Sequence, residues 1–153
     1  MRYWLMKTEP DEFSIDDLAR KKIEPWTGVR NYQARNFMRD GMKVGDGVLF
    51  YHSSCAVPGV AGLAEVASEA YPDPTQFDRK SDYYDEASQR EAPRWFLVDV
   101  RFKRKLERTI TLAELKDRKE LDGFPLLARG NRLSVLPVTK AQWDFILSLE
   151  TKP

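Results

Sequence analysis

Cysteine and histidine are almost absent from this chain of 153 residues, since Cys55 and His52 are the only representatives of the two types. A lone cysteine excludes an internal disulfide, and the two residues together cannot supply the four ligands of a structural zinc site. They also lie close together in the sequence without an evident third group to orient them as a nucleophile and its base. The sequence therefore predicts no metal site, no cofactor and no catalytic residue.

Excess charge of one sign is also lacking, because the formal net charge is only +1. This excludes a large nonspecific nucleic-acid surface, since such surfaces depend on many Lys and Arg contacts to phosphates. No apolar run approaches the length of a membrane span. The N-terminal residues MRYWLMKTEP are strand-like and carry no signal-peptide pattern. We therefore expect a cytoplasmic monomer with no membrane partner.

No repeat or linker divides the chain, so residues 1–153 are predicted to form one domain. The clearest strand pattern runs from Trp95 to Leu106, where apolar and polar residues alternate as a sheet with one dry face requires. Residues 71–94 show no periodicity and are predicted to form a long loop. Several strand connections are too short for crossover helices, which indicates an α+β domain with a curved, largely antiparallel sheet. Shorter strand patterns lie at 3–7, 48–51, 63–66 and 133–135.

Short helices are predicted where capping residues precede amphipathic patterns. The final helix is expected to bury Trp143, Ile146 and Leu147 on one stripe, which predicts that Trp143 matters more to folding than Trp26. The predicted helix caps are Ser14, Asn31, Thr111 with Glu114, and Thr139 with Gln142.

The most informative segment spans residues 26–54. It begins with an aromatic residue and a tight Gly turn, continues through Arg30-Asn31 and a helix pattern, and ends in an apolar strand. Aromatic rings, amides, hydroxyls and arginines are the groups that hold a flat polar ring beside an anion, as in a nucleotide. Basic residues concentrate between 20 and 43, beside these groups, whereas a second basic run at 101–108 is interpreted as a solvated face. The segment predicts a nucleotide-binding module.

Long ordered motifs along the chain resemble those of the EVE domain family. They are YWLMKTEPDEFSIDDL at 3–18, WTGVRNYQARNFMR at 26–39, GDGVLFYHS at 45–53, EAYPDPTQF at 69–77 and RGNRLSVLPV at 129–138. The resemblance implies a PUA-like fold, a curled and mostly antiparallel β-barrel flanked by short helices, related to the YTH domains that bind methylated adenine in RNA. It also implies binding of a modified base in DNA or RNA, in RNA modification or in defence against modified foreign DNA. Thr8 and Asn131 stand where many relatives have serine, and both keep a hydrogen-bonding side chain.

Candidate ligand contacts come from separated segments, at strand ends or at the start of a helix. Trp26 is interpreted as a stacking wall, with a core residue as the alternative, and Asn31 either reads a base edge or caps a helix. The arginines suit a phosphate, with surface ion pairs as the alternative. The predicted base contacts are Lys7, Thr8, Trp26, Val29, Asn31, Tyr51, His52 and Ser53, and the predicted phosphate contacts are Arg30, Arg35, Arg129 and Arg132.

Two other classes of function stay open at this point. A nucleotide- or nucleoside-processing enzyme is disfavoured, because the sequence has no phosphate-cradling Gly-rich loop. A protein-interaction adaptor would use the same aromatic surface. Bound nucleotide would separate a nucleic-acid reader from an adaptor, and turnover of a modified nucleoside would indicate an enzyme. No motif distinguishes DNA from RNA as the polymer.

Overall fold

A curled six-stranded sheet forms the centre of the protein, which a computed structural model describes for residues 1–151. In chain order the strands are β1 (Tyr3–Thr8), β2 (Ile23–Pro25), β3 (Gly47–His52), β4 (Gly59–Val66), β5 (Tyr71–Pro72), β6 (Phe96–Leu97), β7 (Asp99–Thr111) and β8 (Val135–Val138). The order in the sheet is β2-β7-β4-β3-β1-β8, and β5 pairs with β6. Of the described pairs only β1 and β3 run parallel. This architecture, with its short helices, confirms the predicted α+β, PUA-like fold.

Capping side chains start the helices as the sequence predicts. Ser14, Thr111 and Thr139 each accept a hydrogen bond from the third helical amide, and the side chain at that position accepts one from the cap. The described helices are α1 (Ile15–Lys21), α2 (Tyr32–Asn36), α3 (Leu112–Lys116) and α4 (Lys140–Ser148), and α2 continues into a π-helical turn, Phe37–Gly41. Short 3₁₀ turns lie at Pro74–Phe77, Lys119–Leu121, Pro125–Leu127 and Leu149–Thr151.

The long alternating pattern from Trp95 to Leu106 is two strands, not one. Val98 interrupts it, and the carbonyl oxygen of Val98 accepts a hydrogen bond from the Trp26 amide at 3.1 Å. Before the interruption β6 pairs with β5, and after it β7 runs on to Thr111 between β2 and β4. The break therefore brings the chain around Trp26 against the sheet.

Two shorter predictions also differ in their bounds. The strand expected at 63–66 begins earlier, at Gly59, where a Cβ atom would lie 2.3 Å from the carbonyl oxygen of Ile110. Only glycine permits so close an approach of two backbones. The strand expected at 133–135 is wrong, because Leu133 donates its amide to the Asn131 side chain in a turn and the strand starts at Val135.

Hydrophobic layers cover both faces of the sheet. Successive side chains of a strand point to opposite faces, so Trp4 and Met6 join one layer and Leu5 the other. The first layer includes residues of α1, α2 and the π-helical turn, and the second includes residues of α3, α4 and the three 3₁₀ turns that follow α3 and α4. Phe50 belongs to the first layer and Tyr51 to the second. Which face a residue of β3 occupies decides whether it can reach a given site.

The basic run on β7 is ion-paired, in agreement with its interpretation as a solvated face. Arg101 lies 3.1 Å from Glu65 and Lys105 lies 3.0 Å from Asp16. Within residues 1–151, no helix is long and apolar enough to cross a membrane.

Candidate functional site

A cavity of about 480 Å³ opens where β1 and β3 end side by side. The two ends meet because the strands are parallel, with Thr8 opposite His52. The chain leaving β3 stays attached, since the Ser53 amide donates to the Thr8 carbonyl oxygen at 2.9 Å. A further segment joins them, since the Lys7 amide donates to the Ser134 carbonyl oxygen at 2.8 Å. The volume lies within the range of small-ligand pockets, roughly 300–1,000 Å³.

Only part of the predicted site lies at this cavity. The lining includes Lys7, Thr8, Trp26, Val29, Arg30, Ser53 and Arg132. The predicted contacts that do not line it are Asn31, Arg35, Tyr51, His52 and Arg129. Geometry thus brings four of the predicted segments together, while contact with a base or a phosphate stays a prediction for each residue.

Trp26 is both a core residue and a wall of the cavity. Its side chain is 7% exposed and belongs to the first hydrophobic layer, where the indole meets the Phe50 ring edge-on with centroids 5.7 Å apart. The exposed remainder lines the cavity. The core alternative for Trp26 therefore holds, and stacking of a base on the part of the indole that lines the cavity stays a prediction.

Two cationic residues line the cavity, but their charged groups lie in different surroundings. Lys7 is half-buried, and burial lowers the pKa of its ammonium group. The Lys7 Nζ atom lies 5.9 Å from the centroid of the Tyr51 ring. Arg132 is exposed, and its side chain has no hydrogen-bond or ion-pair partner among residues 1–151. Arg132 is therefore the lining cation that is best able to accept an anion.

Arg30 lines the cavity, but its guanidinium group has no donor left for a phosphate. Nε and Nη2 both donate to the Tyr83 carbonyl oxygen, at 3.2 and 2.7 Å. Nη1 donates to the Val29 carbonyl oxygen and to Asp73 Oδ2, and Nη2 also donates to Thr75 Oγ1. Arginine has five N–H donors, so this arrangement uses all of them. The structure thus argues against the predicted phosphate contact at Arg30.

Asn31 and Tyr51 are placed elsewhere for identifiable reasons. Asn31 Oδ1 accepts a hydrogen bond from the Ala34 amide at 2.9 Å, which is the helix-capping alternative rather than the base-reading one. Tyr51 is 2% exposed and packs in the second layer, on the opposite face of the sheet from Trp26. Burial raises the pKa of the Tyr51 hydroxyl to about 12, and Cys55 shifts it in the same direction.

His52 has a structural role. Its Nε2 atom accepts a hydrogen bond from the Ile15 amide at 3.1 Å, at the N-terminus of α1, and its ring packs edge-on against Phe50. An accepting nitrogen must be unprotonated. Burial lowers the pKa of the imidazole, Asp16 opposes that shift and Lys105 adds to it.

The lowered pKa of His52 predicts a loss of stability in mild acid. A folded-state pKa below the unfolded value of about 6.5 means that the stabilisation is complete above that pH and declines as pH falls below it. Urea unfolding at pH 7.5 and 5.5 should therefore show a larger drop in midpoint for the wild type than for His52→Gln, which accepts the same hydrogen bond without titrating. Equal drops in the two proteins would contradict this. NMR titration of the single imidazole gives the folded pKa directly.

Arg35 and Arg129 lie away from the cavity. The Arg35 guanidinium covers the Tyr32 ring at 4.7 Å and donates to the Arg94 carbonyl oxygen at 2.8 Å. Arg129 is exposed in the turn before β8. Their expected contacts to a phosphate stay predictions that the cavity does not support.

Several further lining residues carry no recognisable signal in the sequence. Tyr83 comes from the segment that showed no periodicity, so the pattern carried no signal for it. Phe13 follows the turn after β1, where its amide donates to the Glu9 carbonyl oxygen at 2.9 Å. The lining carboxylates are Glu9, Glu12 and Glu24. The site therefore combines aromatic rings, hydroxyls, cations and carboxylates, and within residues 1–151 there is no cluster of side chains that could hold a metal ion.

Comparison with known proteins gives consistent matches over the whole chain. The sequence model of the EVE domain matches residues 2–149. Thymocyte nuclear protein 1 of Homo sapiens is 46% identical over 168 residues, covering 98% of this chain and 74% of that protein. The crystal structure of human THYN1 protein in complex with DNA containing 5-methylcytosine has a TM-score of 0.95 at 45% identity, covering 100% of this chain and 99% of that one. A crystal structure of a Pseudomonas syringae protein has a TM-score of 0.94 at 49% identity, covering 97% and 99%.

Proposed function

Because the chain belongs to the EVE domain family, we propose that it is a nucleic-acid-binding module that holds a modified base in the cavity beside Trp26. The observation that carries the proposal is this cavity, in which a fixed indole stands beside three chain segments with hydrogen-bonding groups. A base that has left its stack exposes both ring faces and its polar edge. Stacking on one aromatic residue contributes about 1–3 kcal/mol to such binding.

The modified base we propose is 5-methylcytosine in DNA. The support is the human relative, which was crystallised with DNA containing that base. The lining chemistry is compatible, because carboxylates such as Glu9 and Glu12 can accept a hydrogen bond from the exocyclic amine of cytosine. RNA with a modified base is the alternative polymer. RNA modification and defence against modified foreign DNA are the biological settings that the family resemblance suggests.

Electrostatics supports selective rather than general binding. The net charge of +1 limits the phosphate contribution to affinity. Arg30 is excluded from that contribution by its own hydrogen bonds, whereas Arg132 stays available. We therefore expect most of the affinity to reside in the base, with Arg132 adding a contribution that is independent of sequence.

We also propose that the protein is a binding module and not an enzyme, and that it is a single domain that acts as a monomer. The support is that the human relative was crystallised with DNA containing 5-methylcytosine. A cytoplasmic location stays a prediction, and the animal relatives carry the word nuclear in their name.

Titration of a matched panel of ligands tests the proposal. The panel contains single- and double-stranded DNA with 5-methylcytosine or cytosine at one position, the equivalent RNA, and the free nucleosides. We expect roughly tenfold or greater preference for the methylated DNA, because one methyl group in a fitting pocket contributes about 1–3 kcal/mol. Mass spectrometry of the recovered nucleosides should show no change.

Three results would overturn the proposal in different ways. Equal affinity for methylated and unmethylated polymers would exclude a reader of this modification. Conversion of a modified nucleoside would identify an enzyme, and binding of no nucleic acid at all would favour the adaptor class.

A further inference from the structure

The outer wall of the cavity comes from a distant part of the chain, the covering segment of residues 73–95. Tyr83 supplies that wall, and its ring lies directly against Gly28, where a Cβ atom would be only 2.6 Å from the ring. Gly28 has a φ of +89°, in the region that favours glycine. Two features therefore require glycine at position 28, the positive φ and the close approach of the Tyr83 ring. Tyr83 occupies the space that a side chain at this position would need.

The covering segment is ordered internally before it meets the cavity. Gln76 is fully buried, and its amide group donates to the carbonyl oxygens of Asp73 and Trp95, both at 2.8 Å. Trp95 Nε1 donates to Asp85 at 2.7 Å. The segment thus behaves as one unit, and its position relative to the cavity depends on the contacts that join it to residues 26–36.

Arg30 makes most of the polar contacts across that junction. Its guanidinium group reaches Asp73, Thr75 and the Tyr83 backbone through the hydrogen bonds given above. Its Cζ atom also lies over two rings, 5.6 Å from the centroid of Tyr83 and 5.3 Å from that of Trp95. A planar guanidinium that uses all its donors and contacts two rings fixes both the direction and the distance of the groups that it binds.

We propose that Arg30 is a positioning residue that locks the covering segment so that Tyr83 forms the second aromatic wall of the base cavity. This inference rests on the proposed function and deepens it, because it assigns Arg30 to recognition of the base and not to contact with phosphate. Lysine at this position would keep the charge but would lose the fork. The charge and the positioning role can therefore be separated by one substitution.

The test compares Arg30→Lys and Tyr83→Ala with the wild type, using 5-methyl-2′-deoxycytidine and a methylated oligonucleotide as ligands. Tyr83→Ala should weaken binding of the nucleoside roughly 5- to 150-fold, the range expected for loss of one stacking ring. Arg30→Lys should weaken the nucleoside and the oligonucleotide by the same factor and should leave the salt dependence of oligonucleotide binding unchanged. Arg101→Lys, in an exposed ion pair with Glu65 away from the lining, is the control for a generic Arg-to-Lys change.

A phosphate contact would give the opposite result, so the outcomes are decisive. Unchanged nucleoside affinity in Arg30→Lys, with a salt slope reduced by about one, would overturn the inference. Unchanged nucleoside affinity in Tyr83→Ala would do the same. Hydrogen exchange supplies a readout without ligand: in Arg30→Lys the amides of Gly28 and Thr75 should exchange faster than in the wild type, and unchanged exchange would contradict the locking role. If the wild type binds neither ligand, the proposed function fails, and exchange still decides whether Arg30 holds the segment.

Discussion

Replacing Trp26 with alanine is expected to lower the free energy of unfolding by about 3–5 kcal/mol, the usual cost of emptying a buried aromatic site. The indole is 7% exposed and packs edge-on against Phe50, which is fully buried. The same variant should lose about 1–3 kcal/mol of ligand binding, because the wall for stacking is removed. Denaturant unfolding and titration with a methylated oligonucleotide, performed well below the unfolding temperature, measure the two losses separately.

Trp143→Ala and Trp26→Phe are the matched variants for this measurement. Trp143 is only half-buried and packs at a tilt against Tyr3 with ring centroids 4.6 Å apart, so its replacement should cost less, about 0.5–3 kcal/mol, and should leave binding intact. This order is the reverse of the one predicted from the stripe on the last helix, in which Ile146 is the fully buried residue. Trp26→Phe should recover part of both losses. A Trp26→Ala protein with wild-type stability would show that the indole contributes nothing to the core, and wild-type binding would move the site elsewhere.

Local rules were enough to predict much of the fold. The capping residues at 14, 111 and 139 start helices because their side chains satisfy specific amides, which needs no distant partner. Asn31 shows the limit of the same rule. Its residue type suits either a cap or a base edge, and only the placement of Ala34 against it decides between them.

The sequence does not show which face of the sheet each side chain at the end of β3 occupies. Tyr51 and His52 point to opposite faces, as neighbours in a strand must. A pocket on one face of the sheet therefore takes the side chain of at most one of the two. Tyr51 packs in the second layer, and His52 is held by the Ile15 amide. The alternation of side chains along a strand excludes one of the two residues from such a pocket, but it does not show which one.

Residues that act through tertiary contacts left no pattern in the sequence. Tyr83 lies in an aperiodic stretch, and it reaches the cavity only because Gly28 leaves room and Arg30 holds its backbone. The five donors of Arg30 could not be assigned from the sequence, since their acceptors lie both next to it and more than forty residues away. An arginine beside an aromatic segment can either bind a phosphate or join an internal hydrogen-bond network. Only the structure, which shows whether its N–H donors already have acceptors, distinguishes these two roles.

Asp73→Ala is expected to be the most damaging single change in that network. The carboxylate is 1% exposed and accepts hydrogen bonds from the Gly28 amide at 2.8 Å, from Arg30 at 3.1 Å, and from the amide and hydroxyl of Thr75 at 2.8 and 2.5 Å. Removing one partner of a buried ion pair leaves the other charge uncompensated and costs about 3–5 kcal/mol. Since the same carboxylate caps the 3₁₀ turn Pro74–Phe77, the covering segment should loosen as well.

Asp144→Ala is the matched control, because Asp144 forms an exposed ion pair with Lys140 four residues away. Such surface pairs contribute only about 0.3–0.5 kcal/mol. Unfolding midpoints in denaturant should therefore separate the two variants clearly, and high salt should not reproduce the effect of Asp73→Ala, since screening acts weakly on a buried pair. The Asp73 variant should also bind 5-methyl-2′-deoxycytidine less tightly, because the Gly28 amide loses its acceptor and Arg30, which holds the Tyr83 backbone, loses its ionic partner. If Asp73→Ala were no less stable than Asp144→Ala, the buried network would not be what holds the covering segment at the cavity. The packing of Trp95 on Tyr32 would then have to hold it instead.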